Sequence, residues 1–185
     1  MNRQTPDAQD CTAAEALAHK LPYALVVLLG AAVIAVGFGA TPRAFVGAGV
    51  YVACGGAGAL WMILMVCPHC ANYGRSCPCG YGLISARLRR KGDTKQFGAR
   101  FRRYMPAIVP LWIVPVAAGG VALAPGFTWQ LVSLLAAFIL ESFVLLPLVS
   151  AKCECARCVQ RGACPWAGLR AADEGLGIRP DGRRA

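Results

Sequence analysis

Eight of the ten cysteines fall into two short clusters. The first runs Cys67-Pro68-His69-Cys70 and then Cys77-Pro78-Cys79-Gly80, a spacing of C-x2-C-x6-C-x-C. The second runs Cys153-Glu154-Cys155-Ala156-Arg157-Cys158 and closes on Cys164-Pro165-Trp166, a spacing of C-x-C-x2-C-x5-C-P. Sulfurs set this densely suit a thiolate-bound metal, because one tight turn presents several of them to a single ion or cluster. Gly74, Gly80 and Gly82 supply the bends such a turn needs. Structural zinc favours two Cys-x2-4-Cys knuckles separated by a longer arm, which neither cluster forms alone. Iron–sulfur centres use close-set cysteines in one loop, often ending in Cys-Pro, as Cys164-Pro165 does. The expected metal ligands are therefore Cys67, Cys70, Cys77, Cys79, Cys153, Cys155, Cys158 and Cys164. An iron–sulfur cluster is the first expectation and zinc the alternative. One shared site and two separate sites both satisfy the spacing. His69 is a further candidate ligand, or fills the turn of its Cys-x2-Cys.

Other chemistry is sparse. There is no Ser/His/Asp set, no carboxylate pair and no glycine-rich phosphate loop. The two histidines, His19 and His69, lie outside the apolar runs, which argues against haem bound between helices. Glu141 is the one charge inside such a run, in Phe138-Ile139-Leu140-Glu141-Ser142-Phe143. A carboxylate at that depth costs roughly 3 kcal/mol on insertion scales. It is expected to be neutral or hydrogen-bonded toward the interior, with Ser142, Ser133, Tyr51 or Cys54 as neighbours. Its role is either interhelical bonding or a proton site.

The elements that must position these residues are apolar. Of 185 residues, 57% are hydrophobic and 15% charged, with a formal net charge of +10; the mean hydropathy is +0.51. That composition excludes a disordered chain and an ordinary soluble enzyme. It also argues against nucleic acid as the partner of the basic charge. It fits a membrane protein with its basic residues on one side. A spanning helix needs about 20 apolar residues, and four runs supply them: Leu21–Ala40, Ala44–Val66, Met105–Ala124 and Phe127–Val149. Short links, Thr41-Pro42-Arg43 and Pro125-Gly126, make two antiparallel hairpins. The expected fold is all-α, an integral membrane four-helix bundle with cytoplasmic Cys-rich loops. Small residues at four-residue spacing, Ala31, Ala35 and Gly39 on the first run and Cys54, Gly58, Gly55 and Ala59 on the second, suit close helix packing. Pro110 and Pro115 are expected to bend the third.

Eighteen of the 19 Lys and Arg lie in residues 1–20, 68–104 and 152–185; Arg43 alone lies on the other side. The positive-inside rule then places both termini and the middle loop in the cytoplasm, with the chain in the inner membrane. There thiols stay reduced and structural disulfides do not persist. The first run is not read as a secretory signal, since Asp7, Asp10 and Glu15 precede it where a basic region belongs. The resulting organisation is a polar N-tail (1–20), hairpin 1 (21–66), a basic Cys-rich loop (67–104), hairpin 2 (105–152), the second cluster (153–166) and a disordered tail (167–185). Gly92-Asp93 is expected to split the loop into two short helical pieces. Arginines interleaved with Leu83, Ile84, Leu88, Phe97, Phe101 and Tyr104 suit anionic lipid or an acidic partner.

Cys67-Pro68-His69-Cys70 resembles the active-site tetrapeptide of thioredoxin-fold oxidases, although no βαβ pattern accompanies it here. The helix count resembles that of quinone-linked disulfide-forming enzymes and vitamin K epoxide reductases, whose reactive pairs face the oxidising side. The segments Cys67–Gly80 and Cys155–Trp166 are similar to those of uncharacterised small Cys-rich four-helix membrane proteins of bacteria and archaea, a likeness that implies architecture and no activity. The leading expectation is a membrane-anchored metal protein that relays electrons or anchors a cytosolic redox partner. The alternatives are a thiol-disulfide oxidoreductase using Cys67 and Cys70, and a carrier of soft heavy metals.

Overall fold

The computed structural model describes residues 20–75, 77, 80–150, 158 and 164. Among these, all regular structure is helical: α1 (Leu21–Gly37), α2 (Pro42–Met65), α3 (Gly82–Leu88), α4 (Phe97–Tyr104), α5 (Pro110–Leu123), α6 (Trp129–Leu140) and α7 (Leu146–Val149). Tight 3-10 turns occupy Cys67–His69, Thr94–Gln96 and Met105–Ile108, and a wide π-turn occupies Glu141–Leu145. Three helical stretches are long and apolar enough to cross a membrane: Pro42–His69, Thr94–Leu123 and Trp129–Val149.

The first apolar run makes a shorter helix than its composition predicts. It stops at Gly37 rather than Ala40. Gly39 takes φ +76°, so the Ala40 N–H turns back to the Ala35 carbonyl at 2.8 Å and the Gly39 N–H to that of Val36 at 3.1 Å. This is a Schellman cap, and it satisfies carbonyls that the helix end would otherwise leave unpaired. The 17 residues of α1 span roughly 26 Å at 1.5 Å per residue, the lower edge of what a bilayer requires.

The third run lies inside the helical stretch Thr94–Leu123, but its first turn is not regular α-helix. Pro106 and Pro110 bring no N–H, and Met105–Ile108 tightens before regular helix begins at Pro110. In the fourth run the departure is the π-turn. Pro147, six residues beyond Glu141, has no N–H to give and its ring crowds the carbonyl one turn back. The turn before it widens in response.

The chain divides into two compact units. One holds Lys20–Trp61 and Met105–Val149; the other holds Met62–Tyr104 with Cys158 and Cys164. In the first unit α1 packs against α5, α6 and the π-turn. Its centre is Val26, Val33, Leu131 and Phe138, each at most 2% exposed. Approach is close where side chains are absent: a Cβ on Gly55 would lie 2.9 Å from a Val27 methyl. Of the small residues predicted to form a contact stripe on α1, Gly39 lies in the turn with nothing near it. The contact is made instead at Gly30, against the Tyr51 ring. The outward faces carry Leu25, Leu28, Val46, Val50, Ile113 and Val121, all exposed. So apolar an exterior suits lipid rather than water.

Candidate functional site: the cysteine turns

The second unit is built on the turn that follows α2. Cys70 donates its N–H to the Cys67 carbonyl at 3.1 Å, and Pro68 opens the 3-10 turn at a position where no N–H is needed. The chain then folds back on itself. Tyr73 donates to the Cys70 carbonyl at 3.1 Å, Gly74 to Gly82 at 3.2 Å, Arg75 to Asn72 at 3.1 Å and Gly80 to Cys77 at 2.7 Å. Gly74 and Gly80 sit at φ +76° and +67°, the left-handed region that glycine enters without strain.

This fold-back aims backbone donors at sulfur. The Gly82 N–H reaches Cys77 Sγ at 3.3 Å, and the Asn72 N–H reaches the Cys70 sulfur. Gly82 comes this close because it has no side chain; a Cβ would lie 2.5 Å from the carbonyl oxygens of both Asn72 and Arg75. The thiols of Cys70 and Cys77 lie within electrostatic reach of Cys67, and those of Cys158, Cys77 and Cys164 within reach of Cys70. Burial pushes the Cys70 thiol up to about 11. The Asn72 N–H works against that rise, and the surrounding sulfurs add to it.

Five of the eight predicted ligands, drawn from both clusters, thus belong to one set of electrostatically interacting thiols: Cys67, Cys70, Cys77, Cys158 and Cys164. Cys79, Cys153 and Cys155 lie outside the described residues, as do the N-tail to residue 19 and the tail from 165 on. Among the described residues no three His, Cys, Asp or Glu side chains stand together as a ready ligand set, and no disulfide is formed.

The rest of the loop is laid over these turns. Gly92 donates to the Pro68 carbonyl at 2.9 Å, Tyr73 Oη to the Arg89 carbonyl at 2.6 Å. His69 Nδ1 meets the Asp93 carbonyl at 3.1 Å. A carbonyl only accepts, so Nδ1 carries the proton in that bond. Gly92 packs flat on the imidazole, leaving no space for a Cβ. His69 therefore fills the turn and also fastens the loop. Gly92-Asp93 separates α3 from α4, and the buried Ser85 of α3 belongs to a helix packed on the Cys67–His69 turn. On α4 the Phe97 and Phe101 rings lie 5.9 Å apart, and Arg100 and Arg103 flank the Tyr104 ring at 6.0 and 5.7 Å.

Glu141 belongs to the other unit and is 6% exposed. Two of the neighbours expected for it are engaged elsewhere. Tyr51 Oη donates to the Leu111 carbonyl at 2.6 Å, Ser133 Oγ to the Trp129 carbonyl at 2.8 Å, and Cys54 is exposed. Ser142 is buried with its hydroxyl unpartnered. Sequence reading did not single out Asn72 and Gly82 as sulfur-binding donors, since a backbone N–H has no residue type. It also passed over Pro147, whose place after Glu141 carries the π-turn. No family model, curated protein or solved structure matches the chain.

Proposed function

We propose that this is a multi-pass protein of the inner membrane, a bundle of four spans with both termini cytoplasmic, whose two cysteine clusters hold one metal centre in common. α1 is counted as the fourth span. The basic asymmetry of the sequence supports the orientation. One observation carries the metal reading: thiols from both clusters lie within electrostatic reach of Cys70, and two of the sulfurs already receive backbone N–H bonds. Such bonds favour thiolate, the form that binds metal.

Cys67, Cys70, Cys77, Cys158 and Cys164 would hold the centre, with Cys79, Cys153 and Cys155 as further ligands. An iron–sulfur cluster is preferred to zinc for the close spacing and the Cys164-Pro165 ending. When bound, a cluster supplies one-electron transfer, and the protein would relay electrons to, or anchor, a cytosolic redox partner. The arginine-rich helices α3 and α4 suit an anionic surface around it. A dithiol oxidoreductase is less well supported, because attack by sulfur needs a low thiol pKa and Cys70 is displaced the other way.

Anaerobic purification followed by assay of iron, zinc, acid-labile sulfide and the visible spectrum tests the reading. Stoichiometric metal that is lost in both Cys70→Ala and Cys158→Ala is the expected result. Metal lost in neither, or no stoichiometric metal in the wild type, overturns it.

A further inference from the structure

The two helices of the basic loop face in opposite senses. α4 has the ordinary arrangement: Phe97 is buried, and Arg102 and Arg103 are exposed. α3 reverses it. Gly82 and Ser85 are buried, whereas Leu83, Ile84 and Leu88 are 51%, 39% and 52% exposed. At about 100° per residue these three aliphatic side chains span an arc of roughly 140°, with Arg87 inside it. The small residues Gly82, Ser85 and Ala86 occupy the opposite arc, and α3 packs on the Cys67–His69 turn. Arg89, Arg90 and Lys91 follow directly, all exposed. Asp93 is the one acidic residue between 82 and 104, and its carboxylate already accepts the Lys95 N–H at 2.9 Å.

We infer that α3 and the cations of residues 87–91 form a docking face for anionic lipid, seated in the headgroup layer where α2 leaves the bilayer. The chain holds that face at the membrane edge. The apolar run of α2 ends at Val66, and two residues on the Pro68 carbonyl accepts the Gly92 N–H at 2.9 Å. Tyr73 Oη holds the Arg89 carbonyl at 2.6 Å. The cationic run is thus fixed at Arg89 and Gly92, next to the end of the span. Its aliphatic neighbours enter the acyl boundary, and its charged groups meet lipid phosphates. The Arg87 stem lies along the apolar face while its head stays with the phosphates. An acidic protein would have to be brought to this face, whereas the bilayer is already there. The inference rests on the membrane-spanning reading and not on the metal centre.

The test uses the full chain in lipid nanodiscs and an apolar diazirine dissolved in the bilayer, which on irradiation labels side chains that touch acyl chains. Labelled residues are located by mass spectrometry. Val46 and Val50, exposed on α2, are the internal reference. In discs of phosphatidylglycerol and phosphatidylcholine, Leu83, Ile84 and Leu88 should label alongside them. Each cation near an anionic surface favours binding about fivefold. In phosphatidylcholine alone the α3 labelling should therefore fall at least about fivefold, with the reference unchanged. Arg87→Gln/Arg89→Gln/Arg90→Gln/Lys91→Gln should show the same fall in the anionic discs. Inorganic phosphate added to the neutral discs should not restore it. Reference labelling without α3 labelling in anionic discs overturns the proposal and leaves the face to a soluble acidic partner. Equal α3 labelling in the two lipids, or its recovery on adding phosphate, also overturns it. Should the variant fail to fold, the comparison of lipids in the wild type decides alone. Loss of the reference labelling would overturn the membrane reading itself, so the two failures are distinct.

Discussion

The hydroxyl of Tyr51 donates to the backbone carbonyl of Leu111 at 2.6 Å, four residues before Pro115. In an unbroken helix that carbonyl accepts from the N–H of residue 115, which proline lacks. A side chain of α2 therefore replaces the bond that α5 has lost. Gly30 makes room for the ring, since a Cβ there would lie 2.6 Å from it. Proline is tolerated in a membrane helix when a neighbour satisfies the freed group, and here both partners are identified.

Tyr51→Phe should therefore destabilise the protein by about 1 kcal/mol, within the range for such bonds in membranes. Pro115→Ala restores the helix's own donor. In that background Tyr51→Phe should cost only a fraction as much. Unfolding of the four proteins in the same lipid or detergent measures the cycle. Equal costs in the two backgrounds would show that the hydroxyl does not answer the proline.

Gly82→Ala should damage the cysteine turns more than a surface glycine substitution does. The new methyl would meet the carbonyls of Asn72 and Arg75 and push the residue 82 N–H away from Cys77 Sγ. Gly126→Ala, with nothing within 4 Å, is the control. Bound metal and protease resistance of the 70–92 loop should fall in the first variant and hold in the second. A Gly82→Ala protein with full metal content would detach the fold-back from the metal site.

The legible part of this protein was what residue type alone encodes. The three long apolar helices and the start of α1 follow from apolar runs that carry at most one charge. The end of α1 does not, because Gly39 and Ala40 are apolar letters whose backbone turns left-handed. Met105 likewise counts as apolar, while Pro106 and Pro110 decide that regular helix begins later. The density of cysteines marked the site, but spacing within a cluster says nothing of contacts across the chain. That Cys158 and Cys164 come near Cys70 is a tertiary fact. The donors from Asn72 and Gly82 are tertiary too, since they exist only once residues 70–82 fold back.

Metal affinity should rise with pH. The Cys70 thiol keeps its proton to about 11, against an ordinary 9.0, and a metal must displace that proton to bind sulfur. Below that value each thiol so displaced weakens binding by about tenfold per pH unit. Competition with a chelator between about pH 6 and about pH 8 should show at least this slope. For the metal-free protein the dependence has the opposite sign. Between about 9 and about 11 the folded state holds a proton that the unfolded chain has released, so stability is full below about 9 and declines as pH rises through about 11. Denaturant titrations of metal-free protein across that window check it. A pH-independent affinity would mean that Cys70 is not a ligand.

The orientation of the chain decides which redox chemistry its cysteines meet, and the same residues can report it. With both termini inside, Cys70 and Cys158 face the reducing cytosol, where a thiolate-bound metal persists and a disulfide does not. On the opposite face they would be open to oxidation and the metal reading would fail. Thiol labelling of intact cells with a membrane-impermeant reagent separates the two. Cys70 and Cys158 should stay unlabelled until the membrane is opened. Buried thiols react slowly for other reasons, so Thr41→Cys, in the exposed link between α1 and α2, serves as the positive control. That site should label from outside. Labelling of Cys158 but not of Thr41→Cys in intact cells would reverse the topology and bring back a disulfide-forming role for Cys67 and Cys70.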